Sequence, residues 1–227
     1  MVFLAVLLAA LIAPPLHFCM GCSFAGAQLG SSDFSNVTYV GTNFAGAQLG
    51  GSSFRGARLV ATNFQGADLR NVAFDDAECI ACNFENVKLD GATFSGVRMT
   101  AANFDGLSSK IADDQLRALL SNCYACNLRQ ASLAGRDLSG AALIGVDFYN
   151  ADLRGTRFDG AVLCSYVMQG ALRQVKCDAM QGARVQGASF AGALICIDPA
   201  ERSSCTPVPA DTLRKESGSP LNGAAPP

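Results

Sequence analysis

Bulky apolar residues recur every five positions along the first half of this chain. In GTNFAGAQLGGSSFRGARLVATNFQGADLR, residues 41–70, Phe44, Phe54 and Phe64 alternate with Leu49, Leu59 and Leu69. The series runs without a slip through Phe24, Leu29, Phe34, Tyr39, the six just named, Phe74, Cys79, Phe84, Leu89, Phe94, Met99 and Phe104. Two residues before each of these centres stands a small or β-branched residue, such as Thr42, Ala47 or Val72. Two residues after it, Gly, Asn or Asp fills 13 of the 17 slots, and these residues accept the positive φ of a tight corner. A period of five returns to one face of neither a helix nor a long strand. It fits a two-slot extended segment followed by a corner, and a unit that short buries nothing until it stacks on copies of itself.

The period breaks after Gly106. In SSKIADDQLRALL, Ile111, Leu116, Leu119 and Leu120 fall at helical spacing, with Asp113 and Asp114 where a first turn favours acids and Ser109 as a candidate cap. A short helix is predicted over about 111–121, and its two aspartates read as a solvated helix start. The repeat resumes at Cys123, Leu128, Leu133, Leu138, Leu143, Phe148, Leu153, Phe158, Leu163 and Met168. It restarts at Val175, Met180, Val185, Phe190 and Ile195, the two extra residues near 171–174 being read as a corner bulge.

The units ADLRN (67–71), ADLRG (151–155) and TNFAG (42–46) resemble the A(D/N)LXX unit of the pentapeptide-repeat proteins. The likeness covers roughly 19–197. It implies an all-β solenoid, a right-handed quadrilateral β-helix with four pentapeptides per coil, here of about eight coils interrupted by one short α-helix. On that lattice Phe24, Phe44, Phe64, Phe84 and Phe104 stack on one wall, and Phe34, Phe54, Phe74 and Phe94 on the opposite one. Leu49, Leu59, Leu69, Leu89, Leu143 and Leu153 complete the expected structural core.

Composition then removes most chemistry. The net charge is −2 and His17 is the only histidine. A general nucleic-acid binder needs a basic stripe, and Ser-His-Asp or Cys-His catalysis needs a histidine. Asp68, Asp137, Asp147 and Asp152 occupy the D/N slot of the repeat, and the glycines recur at corners without the Lys-Ser/Thr of a phosphate loop. The expectation is no enzyme, no catalytic residue, no cofactor and no metal.

Residues 2–13 are an unbroken apolar run ending at Pro14-Pro15, too short for a bilayer span of about 20 residues but suited to a signal peptide. No Lys or Arg precedes it; cleavage is expected after Gly21, and Cys22 next to it raises a lipoprotein alternative. Another reading makes the run an apolar cap on the fold. From residue 198 the chain is rich in Pro, Ser, Gly and Ala without periodicity. The expected organisation is thus a leader over 1–21, a first repeat run over 22–106, a helical interruption over 107–122, further runs over 123–197 and a disordered tail over 198–227.

Ten cysteines include three C-x-x-C pairs, Cys19/Cys22, Cys79/Cys82 and Cys123/Cys126. Each pair fills a centre and the next small inward slot, so core packing is the favoured reading over an internal disulfide or a zinc site. Cys177 and Cys196 fall on outward slots nearly one coil apart and make a candidate disulfide clamping the last coil.

Two functions follow. The first is an exported, periplasmic or cell-envelope scaffold of bacterial type that binds an unidentified protein partner, membrane-bound only if lipidated at Cys22. The second is implied by the family: a cytoplasmic DNA mimic that binds gyrase and gives quinolone-type resistance. That role needs an acidic wall, for which Asp75, Asp76, Glu78, Glu85, Asp90 and Asp105 are the candidates. Some family members form end-to-end dimers, so a homodimer is a further expectation.

Overall fold

The computed structural model describes residues 17–108, 110–121, 123–143, 145–169, 172–176, 185–196 and 205–207. Six short strands stack in parallel in chain order: β1 (Phe18–Met20), β2 (Thr38–Val40), β3 (Arg58–Val60), β4 (Glu78–Ile80), β5 (Arg98–Thr100) and β6 (Cys123–Tyr124). Their register pairs Cys19, Tyr39, Leu59, Cys79, Met99 and Cys123, so five turns separate β1 from β6. Three other walls are held by single bridges at the same twenty-residue step. Ser23–Asn43–Asn63–Asn83–Asn103 builds the first wall, Gln28–Gln48–Asp68–Lys88 the second and Asp33–Ser53–Ala73–Thr93 the third. The six strands are the fourth wall. Four walls per twenty-residue turn is a solenoid of pentapeptides, as the period predicts.

The alternation of Phe and Leu has a packing cause. Rings stack along the first wall at 5.0 Å (Phe24–Phe44), 5.2 Å (Phe44–Phe64) and 4.8 Å (Phe84–Phe104), and on the third at 4.8 Å (Phe34–Phe54) and 5.3 Å (Phe54–Phe74). Across the core the two stacks meet edge to face, Phe54 against Phe64 at 5.6 Å and 90°. Both geometries suit the aromatic quadrupole. Phe44 to Phe104, and all six core leucines, are fully buried, whereas Phe24 and Leu29 in the first turn are only partly so. Corners use positive φ, at Gly66 (+66°) and also at non-glycine residues such as Asn71 (+58°) and Ala81 (+54°).

Helix α1 (Asp113–Ser121) sits inside the fifth turn, two residues shorter at its start than expected. The bridge Asn103↔Asn127 spans 24 residues instead of 20; Leu107 keeps the second-wall bond to Ser132, and the helix takes the place of the third wall of that turn. Its buried Leu116, Leu119 and Leu120 fill the core there. The stack then continues through Asn127↔Asp147, Ser132↔Asp152, Asp137↔Arg157 and Ala142↔Val162.

Two expectations at the C-terminal end are corrected. Met168 and Val175 are not pentapeptide centres: β7 (Val162–Gln169) begins on the strand wall, where Val162 bridges Ala142, and then forms an antiparallel hairpin with β8 (Leu172–Lys176). Met180 lies outside the described residues. The repeat returns at Val185 and Phe190, with Arg157↔Ser189 spanning 32 residues and Phe190 stacked on Phe158 at 5.1 Å. The Val- and Tyr-containing apolar run VLCSYVMQ, followed by a Gly-containing link, forms a hairpin strand against the five-residue frame. The expected disordered tail contains β10 (Cys205–Pro207), which turns back antiparallel onto β9 (Leu194–Cys196). The second sheet runs β10-β9-β7-β8.

The segment 1–21 expected as a leader includes the first strand. Phe18–Met20 pair with Thr38–Val40, and the His17 carbonyl accepts the Thr38 N–H at 2.7 Å. A cut after Gly21 would remove the first rung of the strand wall.

Candidate interaction surface

On the fourth wall, outward side chains form two long parallel rows on paired strands. One row, just after each inward centre, is Met20, Val40, Val60, Ile80, Thr100 and Tyr124. Met20 is 70% exposed and Tyr124 54%, and Val40, Val60 and Ile80 are half-buried. The other row is Phe18, Thr38, Arg58, Glu78 and Arg98. Glu78 pairs with Arg58 below it and with Arg98 above it, the latter at 3.8 Å. An apolar strip therefore runs alongside a charged one. At its far end a cleft of about 280 Å³ opens between Arg98, Thr100, Ser121 and Tyr124.

The first wall is different in kind. Asn63 Nδ2 donates to Asn43 Oδ1 (3.4 Å), Asn103 to Asn83 (3.0 Å) and Asn127 to Asn103 (2.7 Å). Each of these Oδ1 atoms also accepts the backbone N–H two residues on, as Asn43 does from Ala45 at 2.9 Å. These amides are consumed by the fold, and the D/N slot of the repeat is a corner brace. The aspartates in that slot behave likewise. Asp152 is gripped by Arg154 through Nε at 2.8 Å and a second nitrogen at 2.7 Å, and Asp68 by Arg70 Nε at 2.8 Å. The hydrogen bond from Arg70 holds the Asp68 carboxyl below the usual carboxylate range, against the desolvation of a nearly buried group. Asp147 pairs with Arg129 and Asp137 with Arg117. None of the four faces another acid as a catalytic dyad would.

The six acids proposed as one wall are distributed around the rod. Glu85 and Asp105 flank the first-wall corner, Asp90 the second, Asp75 and Asp76 the third, and Glu78 lies on the fourth. Asp75 is also neutralised by Arg55 at 3.2 Å. Besides the neighbours Asp75 and Asp76, only acids one full turn apart, such as Glu85 and Asp105, share a corner in a twenty-residue turn, so crowding in sequence is not crowding in space. Asp113 has a role that spacing alone did not reveal. Its carboxylate accepts the Asp137 N–H at 3.2 Å and pairs with Arg136, standing in for the backbone carbonyl that a regular turn would supply. From below, Phe94 N–H donates to Gln115 Oε1 at 3.0 Å.

The C-x-x-C pairs are buried as expected of core residues, except that Cys22 is partly exposed, but their sulfurs are joined: Cys19–Cys22, Cys79–Cys82 and Cys123–Cys126 are disulfides. Reading them as packed free thiols is therefore corrected. Turning one corner of the solenoid brings the centre and the next small slot to Cα separations of 5.7–6.0 Å, inside disulfide range. The Cys22 sulfur, the lipidation candidate, is bonded to Cys19 here. The clamp expected between Cys177 and Cys196 lies outside the described residues, since Cys177 does. Among the described residues no three His, Cys, Asp or Glu side chains gather as a metal site, and no helix is long and apolar enough to cross a membrane.

Family models match the two stretches that carry this lattice: a pentapeptide repeat region over 27–104, and pentapeptide repeats (8 copies) over 121–163. The chain belongs to the pentapeptide-repeat family. Scaffolds of this family are generally non-catalytic. No curated protein matches the chain. Among solved structures it is similar to HetL of Nostoc sp. strain PCC 7120, a pentapeptide repeat protein involved in heterocyst differentiation regulation. That match has 19% identity and a TM-score of 0.39, over 78% of this chain and 81% of HetL. Full-length QnrB1, a plasmid-mediated fluoroquinolone resistance protein, matches at 19% identity and a TM-score of 0.41, over 89% and 97%. A pentapeptide repeat protein of the Arabidopsis thaliana thylakoid lumen matches at 30% identity and a TM-score of 0.29, over 48% and 77%. None of these superposes closely enough to carry a partner across to this pentapeptide-repeat protein.

Proposed function

We propose that this protein is an exported, non-catalytic scaffold that binds a protein partner along its strand wall. The observation that carries the reading is the row Met20–Val40–Val60–Ile80–Thr100–Tyr124, apolar except for Thr100 and half-buried to exposed, laid against the alternating charges Arg58–Glu78–Arg98. An apolar centre with a charged border is the anatomy of a protein interface. Three disulfides support a location outside the reducing cytoplasm. If the apolar run is a signal peptide, its removal falls before His17, whose carbonyl is engaged by Thr38. The DNA-mimic alternative is not favoured, because its candidate acids occupy different walls.

A photo-crosslinking residue placed at Val60 tests the wall in the protein's native cells, with Gln48 on the second wall as the control. A defined partner captured from Val60 and absent from Gln48 is expected; equal capture from both sites would sink the assignment. Cell fractionation with intact mass under non-reducing conditions tests export. A full-length chain with free thiols in the cytoplasm would overturn it.

A further inference from the structure

We infer that Cys196 and Cys205 form a fourth disulfide, which locks the last strand of the solenoid onto its end. The assignment comes from register and is independent of the partner reading. β10 runs antiparallel to β9 with Cys205 opposite Cys196, Thr206 opposite Ile195 and Pro207 opposite Leu194. Facing positions in an antiparallel pair alternate between hydrogen-bonded and non-hydrogen-bonded sites. Pro207 has no N–H to exchange, so its position suits only the non-hydrogen-bonded class. Two residues along, Cys205–Cys196 belongs to the same class. Facing Cα atoms there are about 4.5 Å apart, inside the span of about 4.4–6.8 Å that a disulfide bridges. Two facing residues also share one face of the sheet.

The place of this pair gives it a consequence. Leu194 stacks in parallel register on Val162, so β9 is a rung of the strand wall and β10 lies beyond it, reversed in direction. The last rung of a solenoid otherwise offers free backbone groups to a strand of another molecule. A reversed strand ending in proline and tied covalently to the rung beneath closes that end. End-to-end pairing through the C-terminal coil is then blocked in the oxidised protein and opened by reduction. The bond forms by exchange: two thiols give up two protons and two electrons to a disulfide oxidant such as oxidised glutathione, which leaves as two thiols.

Peptide mapping decides the matter. The full chain is equilibrated in an oxidising glutathione buffer, free thiols are blocked with iodoacetamide, and the protein is digested with trypsin. Cys177, Cys196 and Cys205 fall in separate peptides, 177–184, 185–202 and 203–214. The expected product is 185–202 joined to 203–214, separated by reductant. A link from either cysteine to any other, or both alkylated, overturns the assignment. The locking role is read from Cys205→Ser, in which amide exchange at Leu194–Cys196 should speed up on the order of tenfold as β10 opens locally. Unchanged exchange would mean that the bond does not hold the strand.

Discussion

From Ser23 to Asn103 the chain climbs in steps of twenty residues, whereas beyond Asn103 it takes steps of 24, 20 and 32. The first region is filled by two Phe stacks in edge-to-face contact. The second has Leu128 and Leu138 where Phe would stand, a helix in one turn and a hairpin in another. Both regions keep the same four walls. What is preserved is the backbone ladder, and what varies is the means of satisfying it. In the regular region the N–H of a Phe centre meets a carbonyl one turn away, as Phe64 does with Asn83 at 2.7 Å. Around α1 the side chains of Gln115 and Asp113 do that work. A solenoid thus admits an insertion wherever the inserted element refills the core and completes the broken bonds.

The comparison breaks most visibly in the cores. Phe74→Ala, in the middle of a stack, is expected to cost about 3–5 kcal/mol, and Leu133→Ala in the second region about 2–4 kcal/mol. Urea unfolding of the two variants measures the gap; a larger loss at Leu133 would show that the stacks are not the stronger core. Next come the substitutes around the helix. Asp113→Ala strands the Asp137 N–H and Arg136, and should cost about 1–3 kcal/mol, with faster exchange of the Asp137 amide. If only Asp114→Ala has that effect, the carbonyl-replacement account fails.

Acidification probes both regions at once. The carboxyls of Asp33, Asp68 and Asp159 are held low, first by hydrogen bonds from Ser35, Arg70 and Ser189 respectively. A folded pKa below the unfolded value adds stability above about pH 4, and that contribution is lost as pH falls through the lowered values. The urea midpoint should therefore drop on acidification below about pH 4, and drop less in Asp68→Asn. The smallest effect belongs to Thr62, whose buried hydroxyl has no hydrogen-bond partner while Ser52 and Thr156 in equivalent slots reach the Leu29 and Leu133 carbonyls. Thr62→Val should be neutral or stabilising by up to about 1 kcal/mol, against a loss for Thr156→Val. Equal losses at both positions would mean that the slot itself needs a hydroxyl.

Much of the molecule was legible before any coordinates. The five-residue period gives the walls, the Phe columns and the corner residues, because each depends only on neighbours at fixed sequence distance. The position of the helix was legible too, since Leu116, Leu119 and Leu120 break one period and begin another. The strand-wall strip was present in the sequence as Val40, Val60 and Ile80 at a twenty-residue interval, and could have been found by reading outward slots as carefully as inward ones.

Other features needed the third dimension. Whether six acids share a wall depends on the corner at which each one falls. Whether Met168 continues the repeat or joins a hairpin depends on competition between two backbone pairings. That C-x-x-C should be bonded follows from a corner bringing two Cα atoms to 5.7–6.0 Å. The return of Cys205–Pro207 over β9 joins segments separated by a stretch with no period at all. Sequence alone determined what repeats, because repetition is local. Tertiary structure decided where the repeat is interrupted, bonded and closed, because those outcomes depend on groups that only folding brings within reach.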